Sequence, residues 1–154
     1  MLVRCVAVGC DHAGIALKKI VSETLKERAI QILDLGTDGP ESVDYPDFGY
    51  SVAKAVAGGE ADRGVLMCGS GIGISIAANR HPKIRAALVH DKHSAQLCRE
   101  HNDANVLCFG GRVITPEIAK NCLEVFLDTE FSTGERHERR VRKLCSPVYD
   151  VFEQ

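Results

Sequence analysis

Short apolar runs alternate with amphipathic stretches along the whole chain. Residues 3–8 are rich in valine and stop at Gly9, the pattern of a buried strand. Leu17, Ile20, Val21, Thr24 and Leu25 then recur at helical spacing, and Lys18, Lys19, Glu23 and Lys26 fall on the opposite, solvent face. Residues 30–35 predict a second strand, ended by Gly36, and 37–44 a turn-rich connection. Pro46 suits the first turn of a helix that Gly58 and Gly59 stop. Strands follow over 64–68, 84–89 and 106–109, and a helix over 72–79. Asp91 caps a helix reaching about His101. Thr115-Pro116 opens another, with Ile118, Ala119, Cys122, Leu123 and Phe126 on one face. Residues 136–144 predict a last helix.

Five strands alternating with helices predict a three-layer α/β/α, Rossmann-like fold: a five-stranded parallel sheet with a C-terminal helix. No repeat, linker or low-complexity tract divides the 154 residues, so 1–154 reads as one domain. The net charge of -2 argues against a nucleic-acid partner, although Arg136, Arg139, Arg140, Arg142 and Lys143 cluster late in the chain. No apolar stretch approaches membrane-spanning length, so no membrane partner is expected, and the first residues lack a leader pattern. Seven cysteines without a CxxC pair fit free thiols in a reducing compartment, and a cytoplasmic protein is expected.

Open parallel sheets carry their sites at the carboxyl ends of the strands. Titratable residues and glycines collect in the loops there: Gly9 to Gly14 with Asp11 and His12, then Asp44, Tyr45 and Asp47, then Cys68 to Gly73, then His90, Asp91 and His93, then Gly110, Gly111 and Arg112. Gly69, Gly71 and Gly73 alternate just before a helix, so the backbone N–H groups from Gly69 to Ile74, those of Gly71, Ile72 and Gly73 among them, form an anion-binding nest. The loop lacks a Walker lysine, and Ile74 stands where the last glycine of a dinucleotide fingerprint would be. Cys68 at its mouth reads as a nucleophile or base, or equally as a core cysteine. Asp11 reads as a ligand contact or a helix cap. His101-Asn102 falls at the opposite edge of its own sheet and reaches a site only if a second subunit brings it there. Arg136, His137 and Arg140 share a helical face suited to phosphate, or form a solvated basic tail. His90 and His93 lack further ligands, so no metal is expected.

Together these segments resemble the type B ribose-5-phosphate isomerases and the related galactose-6-phosphate isomerase subunits. The matching runs are Gly9-Cys10-Asp11-His12-Ala13-Gly14, Asp44-Tyr45-Pro46, residues 68–79 from Cys68 to Asn79, Arg85-Ala86-Ala87, Ser94-Ala95, residues 101–107 from His101, Phe109-Gly110-Gly111-Arg112-Val113 and Arg136-His137. The resemblance covers essentially the whole chain. It implies a homodimer, sometimes paired into a tetramer, with sites at the subunit interface, a tail from about residue 136 packed on the partner, and no metal or nucleotide cofactor. It implies interconversion of ribose 5-phosphate and ribulose 5-phosphate, with Cys68 as base. Another branch uses a glutamate where Ile74 stands, so this chain falls in the cysteine branch. His101 from the partner would open the sugar ring, with Asp11. Ser70, which stands where threonine is frequent, would help hold the enediolate. His12, Arg112, Arg136 and Arg140 would bind phosphate. Tyr45 and Asn102 would touch sugar hydroxyls, and His137 a longer sugar. The alternatives are a six-carbon sugar phosphate as substrate, or a phosphate-binding module without catalysis. A thiol redox role lacks a resolving cysteine beside Cys68.

Overall fold

The computed structural model describes residues 2–146, so residues 1 and 147–154 of the expected domain lie outside it. Its elements run β1 (Cys5–Cys10), α1 (Ile15–Glu27), β2 (Gln31–Asp34), α2 (Tyr45–Gly58), β3 (Arg63–Cys68), α3 (Ile72–Ala78), β4 (Ala86–Leu88), α4 (Lys92–Asn102), β5 (Val106–Gly110), α5 (Pro116–Asp128) and α6 (Glu135–Cys145). The five strands form one parallel sheet in the order β2-β1-β3-β5-β4.

Burial explains that order. Every residue of β3 and β5 is buried, as a central strand covered on both faces requires. β2, with exposed ends at Gln31 and Asp34, takes one edge, and the three half-buried residues of β4 take the other. Side chains alternate between two cores. Val65, Met67, Leu107 and Phe109 point to one face, against Leu17 and Val21 of α1, Ala95 of α4 and Phe126 of α5. Leu66, Cys68, Val106 and Cys108 point to the other, against Val52 of α2 and Ile74 of α3. The edge β4 is held by side-chain amides. Ala86 N–H donates to Asn79 at 2.8 Å, Asn79 donates to the Ala86 carbonyl at 2.9 Å, and Arg85 N–H donates to Asn105 at 2.8 Å.

The three-layer fold and all five expected strands are present, with corrected boundaries. β1 begins at Cys5 rather than residue 3 and runs through Gly9 to Cys10, so its loop starts at Asp11. Lys18, expected on the solvent face, is buried, because Asp34 and Asp38 converge on its ammonium at 3.1 and 2.5 Å. Thr115 and Asp91 cap α5 and α4 as expected. Asp11 does not cap α1, whose cap is Gly14. Instead its carboxylate accepts the N–H of Ala13 at 2.9 Å. The last helix forms as expected and lies against α4 of its own chain. No helix among the described residues is long and apolar enough to cross a membrane.

Candidate active site

β1 and β3 lie side by side, while the chain leaves β1 toward β2 and returns past it to β3. A crevice opens at such a reversal, at the carboxyl ends of the strands. The loops there are tied together by their backbones. Asp11 N–H donates to the Met67 carbonyl at 3.1 Å, Gly111 N–H to that of Cys68 at 2.8 Å, and Arg112 N–H to that of Gly69 at 3.0 Å.

Cys68 ends β3 and is 4% exposed, its side chain on the α2–α3 side of the sheet. The N–H of Gly71 donates to its sulfur at 3.1 Å. Gly71 has a φ of 77°, in the left-handed region, which turns the chain back over the thiol before α3 starts. Burial pushes the thiols of Cys10, Cys98 and Cys122 up to about 11. Cys108, on the same face as Cys68, is raised too. All seven cysteines are free.

The nest is narrower than the sequence predicts. Of its N–H groups, that of Gly71 is taken by Cys68 and that of Ile72 by the Ser70 hydroxyl at 3.2 Å. Ser75 N–H closes the first helical bond, to Gly71. The N–H of Gly73, which is half-buried, has no partner among the described residues and remains for a ligand, whereas Ile74 is 0% exposed and keeps its N–H out of a ligand's reach. The Ile74 side chain is buried in the core beside Cys68 and offers no chemistry of its own. Arg112 is exposed and crosses the loop, one guanidinium nitrogen 3.4 Å from where a Cβ on Gly69 would sit. Tyr45, at the start of α2, lays its ring against Gly73, leaving no room for a side chain there. His12 accepts the N–H of Val43 at Nδ1, 3.2 Å, so its neutral ring presents Nε2–H as a donor. Cys68, Ser70, the glycine loop, Asp11, His12, Tyr45 and Arg112 thus share one edge of the sheet.

His101, Asn102, Arg136, His137 and Arg140 do not join them. They gather where the end of α4 meets the start of α6. The His101 and His137 rings stack with centroids 4.6 Å apart. Burial, then His101, Arg136 and Arg140, hold the His137 imidazole below its ordinary range. This cluster lies toward the amino ends of the strands, since Asp103 to Asn105 lead from α4 into β5. Gly64 N–H pairs with the Asn105 carbonyl, and four residue steps along β3, about 13 Å, separate Gly64 from Cys68.

A cleft of about 690 Å³ also opens at the amino end, lined in part by Arg28, Arg63, Arg99, Asp103, Asp128 and Phe131. It contains none of the expected site residues. Its charges are largely matched internally, Arg28 to Asp128 and Arg99 to Asp103. His90 and His93 are exposed, and no metal-binding group of three or more His, Cys, Asp or Glu side chains forms among the described residues. Sequence reasoning missed the network of Arg85, Arg99 and Asp103 at the end of α4. Its signal was an arginine four residues before an aspartate, at a helix stop where glycine would be ordinary.

A family profile described as Ribose/Galactose Isomerase matches residues 6–144. Ribose-5-phosphate isomerase B of Escherichia coli (strain K12) is 48% identical over 141 residues, covering 92% of this chain and 94% of its own. A solved structure of Clostridium thermocellum ribose-5-phosphate isomerase B superposes with a TM-score of 0.89 at 48% identity, over 92% of this chain and 95% of the other. The galactose-6-phosphate isomerase subunit LacB of Clostridium acetobutylicum is 38% identical over 139 residues, 90% of this chain and 80% of its own. The chain belongs to the ribose/galactose isomerase family, the family of the type B ribose-5-phosphate isomerases.

Proposed function

We propose that this isomerase interconverts D-ribose 5-phosphate and D-ribulose 5-phosphate through a cis-enediolate, in a site completed by a second copy of the chain. The observation that carries the reading is Cys68, its sulfur held by the Gly71 N–H at the mouth of a loop whose Gly73 N–H is still free.

Aldose–ketose conversion moves one proton between neighbouring carbons. The Cys68 thiolate takes it from C2 of the open-chain aldose, and the C2–H electron pair becomes the C1–C2 double bond of the enediolate. Returning the proton to C1, with a proton shift between the two oxygens, completes the ketose. Negative charge grows on oxygen in between. The Gly73 N–H and the Ser70 hydroxyl serve that charge, and in another enzyme one such donor is worth about 2.7–4 kcal/mol of barrier. Phosphate, anchored by His12 and Arg112, holds the sugar in place for the transfer. Tyr45 closes the loop over it.

Ring opening needs an acid for the ring oxygen and a base for the C1 hydroxyl. Asp11 stands beside the crevice as the candidate on this chain, and His101 sits at the far end of its own sheet. A second copy, turned so that its α4–α6 corner faces this crevice, supplies His101 and Asn102, with Arg136 and Arg140 for the phosphate. Ile72 and Ile76, one turn apart on α3 beside the loop, are 55% and 51% exposed, which supports a partner surface there. His137 then lines the end of the site that a longer sugar would reach.

The test is turnover by the purified protein on ribose 5-phosphate beside galactose 6-phosphate and allose 6-phosphate. A kcat/KM highest on the pentose phosphate is expected. A higher value on either hexose phosphate would replace the substrate and leave the chemistry.

A further inference from the structure

Asp103, the residue after α4, has a φ of 47° and ψ of 43°, a left-handed conformation that side chains other than glycine seldom adopt. Two arginines hold it. Arg85 donates to one carboxylate oxygen at 3.0 Å, and Arg99 donates to the other at 2.8 Å. Arg85 also donates through Nε to the carbonyls of Asn102 and Asp103, at 3.0 and 2.9 Å. Its remaining nitrogen reaches the sulfur of Cys145, near the end of α6, at 3.3 Å. Arg99 is 3% exposed and donates to the carbonyls of Ala104 and Thr129, at 2.6 and 3.2 Å.

This network grips the helix end that carries His101 and Asn102, and it touches the helix that carries His137. A helix terminus frays unless its last carbonyls find donors. His101 lies one residue before that terminus, and its ring stacks only on His137 among the described residues. Proton transfer to a ring oxygen requires the imidazole within hydrogen-bond reach of that atom. We infer that Arg85 and Asp103 are positioning residues: with Arg99 they fix the end of α4, and with it the His101 imidazole that opens the sugar ring. The inference rests on the reading of His101 given above.

The two directions of the reaction separate this role from a merely structural one. Ribose 5-phosphate is chiefly a furanose, so its conversion begins with breaking the C1–O4 bond, a proton going to O4 and another leaving the C1 hydroxyl. Ribulose 5-phosphate carries its phosphate on the oxygen that a five-membered ring would need, so it enters as an open chain. Steady-state kinetics in both directions on wild type, Arg85→Gln, Arg85→Lys, Asp103→Asn and His101→Asn, with melting temperatures, form the test. Arg85→Gln is expected to lose about 10²-fold in kcat from ribose 5-phosphate, the cost of a misplaced group about 1 Å from its target, with KM little changed. From ribulose 5-phosphate it keeps most of its rate, because the open-chain aldose can leave the site and close its C1–O4 bond in water without His101, and Arg85→Lys recovers part of the loss. If Arg85→Gln does not fold, Asp103→Asn carries the same expectation. Equal losses in both directions, or an unchanged kcat from ribose 5-phosphate, would overturn the inference. A symmetric loss in His101→Asn itself removes the ring-opening reading, and the inference with it. An asymmetric His101→Asn beside a symmetric Arg85→Gln removes the inference alone.

Discussion

The imidazole rings of His101 and His137 stack with their planes 6° apart, joining the end of α4 to the start of α6. His137 is held below its ordinary range, first by burial and then by the neighbouring His101, Arg136 and Arg140. Near pH 6.5, the ordinary value for histidine, the unfolded chain takes up a proton that folded His137 still refuses. The stabilising contribution is therefore complete above that pH and is lost as pH falls toward the folded value. Asp62 and Asp91, held low by backbone N–H groups, act only below the ordinary carboxylate range, outside this window. We predict that the melting temperature falls between about pH 7 and about pH 5.5, and that His137→Gln makes the fall shallower. An unchanged slope in that variant would remove His137 from the effect.

Gly71 combines a left-handed φ with crowding. A Cβ there would lie 2.5 Å from Leu88 Cδ1 and 2.7 Å from the Phe109 carbonyl carbon. Gly71→Ala is predicted to cost about 1–2 kcal/mol for the backbone alone and about 1–3 kcal/mol more for overpacking. It also pulls the N–H away from the Cys68 sulfur. Chemical denaturation measures the first effect, and kcat the second. Gly73→Ala is different, because its Cβ would meet the Tyr45 ring, which is 40% exposed and can swing outward. A raised KM with a small change in stability is expected there.

Arg112 is exposed and supports the fold through its backbone rather than its guanidinium. Arg112→Met should leave the melting temperature nearly unchanged and raise KM for ribose 5-phosphate by tenfold or more. A charged hydrogen bond to phosphate is worth about 1.5–3 kcal/mol. An unaltered KM would take Arg112 out of phosphate binding.

If the site is shared between two chains, as proposed, mixing two inactive variants restores activity. Cys68→Ala and His101→Asn homodimers each lack one half of every site. Hybrid dimers formed by subunit exchange carry one intact site in two. About a quarter of wild-type activity should return after equal mixing and exchange, because half the dimers are hybrids. If both halves came from one chain, mixing would restore nothing.

The carboxyl-edge half of the site was legible in the chain because the chemistry there follows from short segments. Gly69, Gly71 and Gly73 after an apolar run, with Cys68 at the junction, mark a crevice wherever a parallel sheet forms. The strand order was less so, since the burial of β3 and β5 and the exposure of Gln31 and Asp34 appear only once the faces are covered. Lys18 was misassigned because helical periodicity does not register Asp34 and Asp38 arriving from other segments. The extent of β1 was missed at Gly9 and Cys10, where glycine reads as a stop although the pairing of Gly9 with Leu66 and Cys10 with Met67 continues the strand. Of the Arg85–Asp103–Arg99 network only the Arg99–Asp103 spacing shows locally, because Arg85 arrives from a distant segment.

The most direct measurement is the rate of ribose 5-phosphate conversion by wild type and Cys68→Ala, with substrate affinity taken by calorimetry on the variant. The account predicts that turnover is lost while binding persists, because the change removes the proton acceptor and leaves Gly73, His12 and Arg112 in place. Turnover that survives at a comparable rate would contradict the assignment of Cys68 as the base.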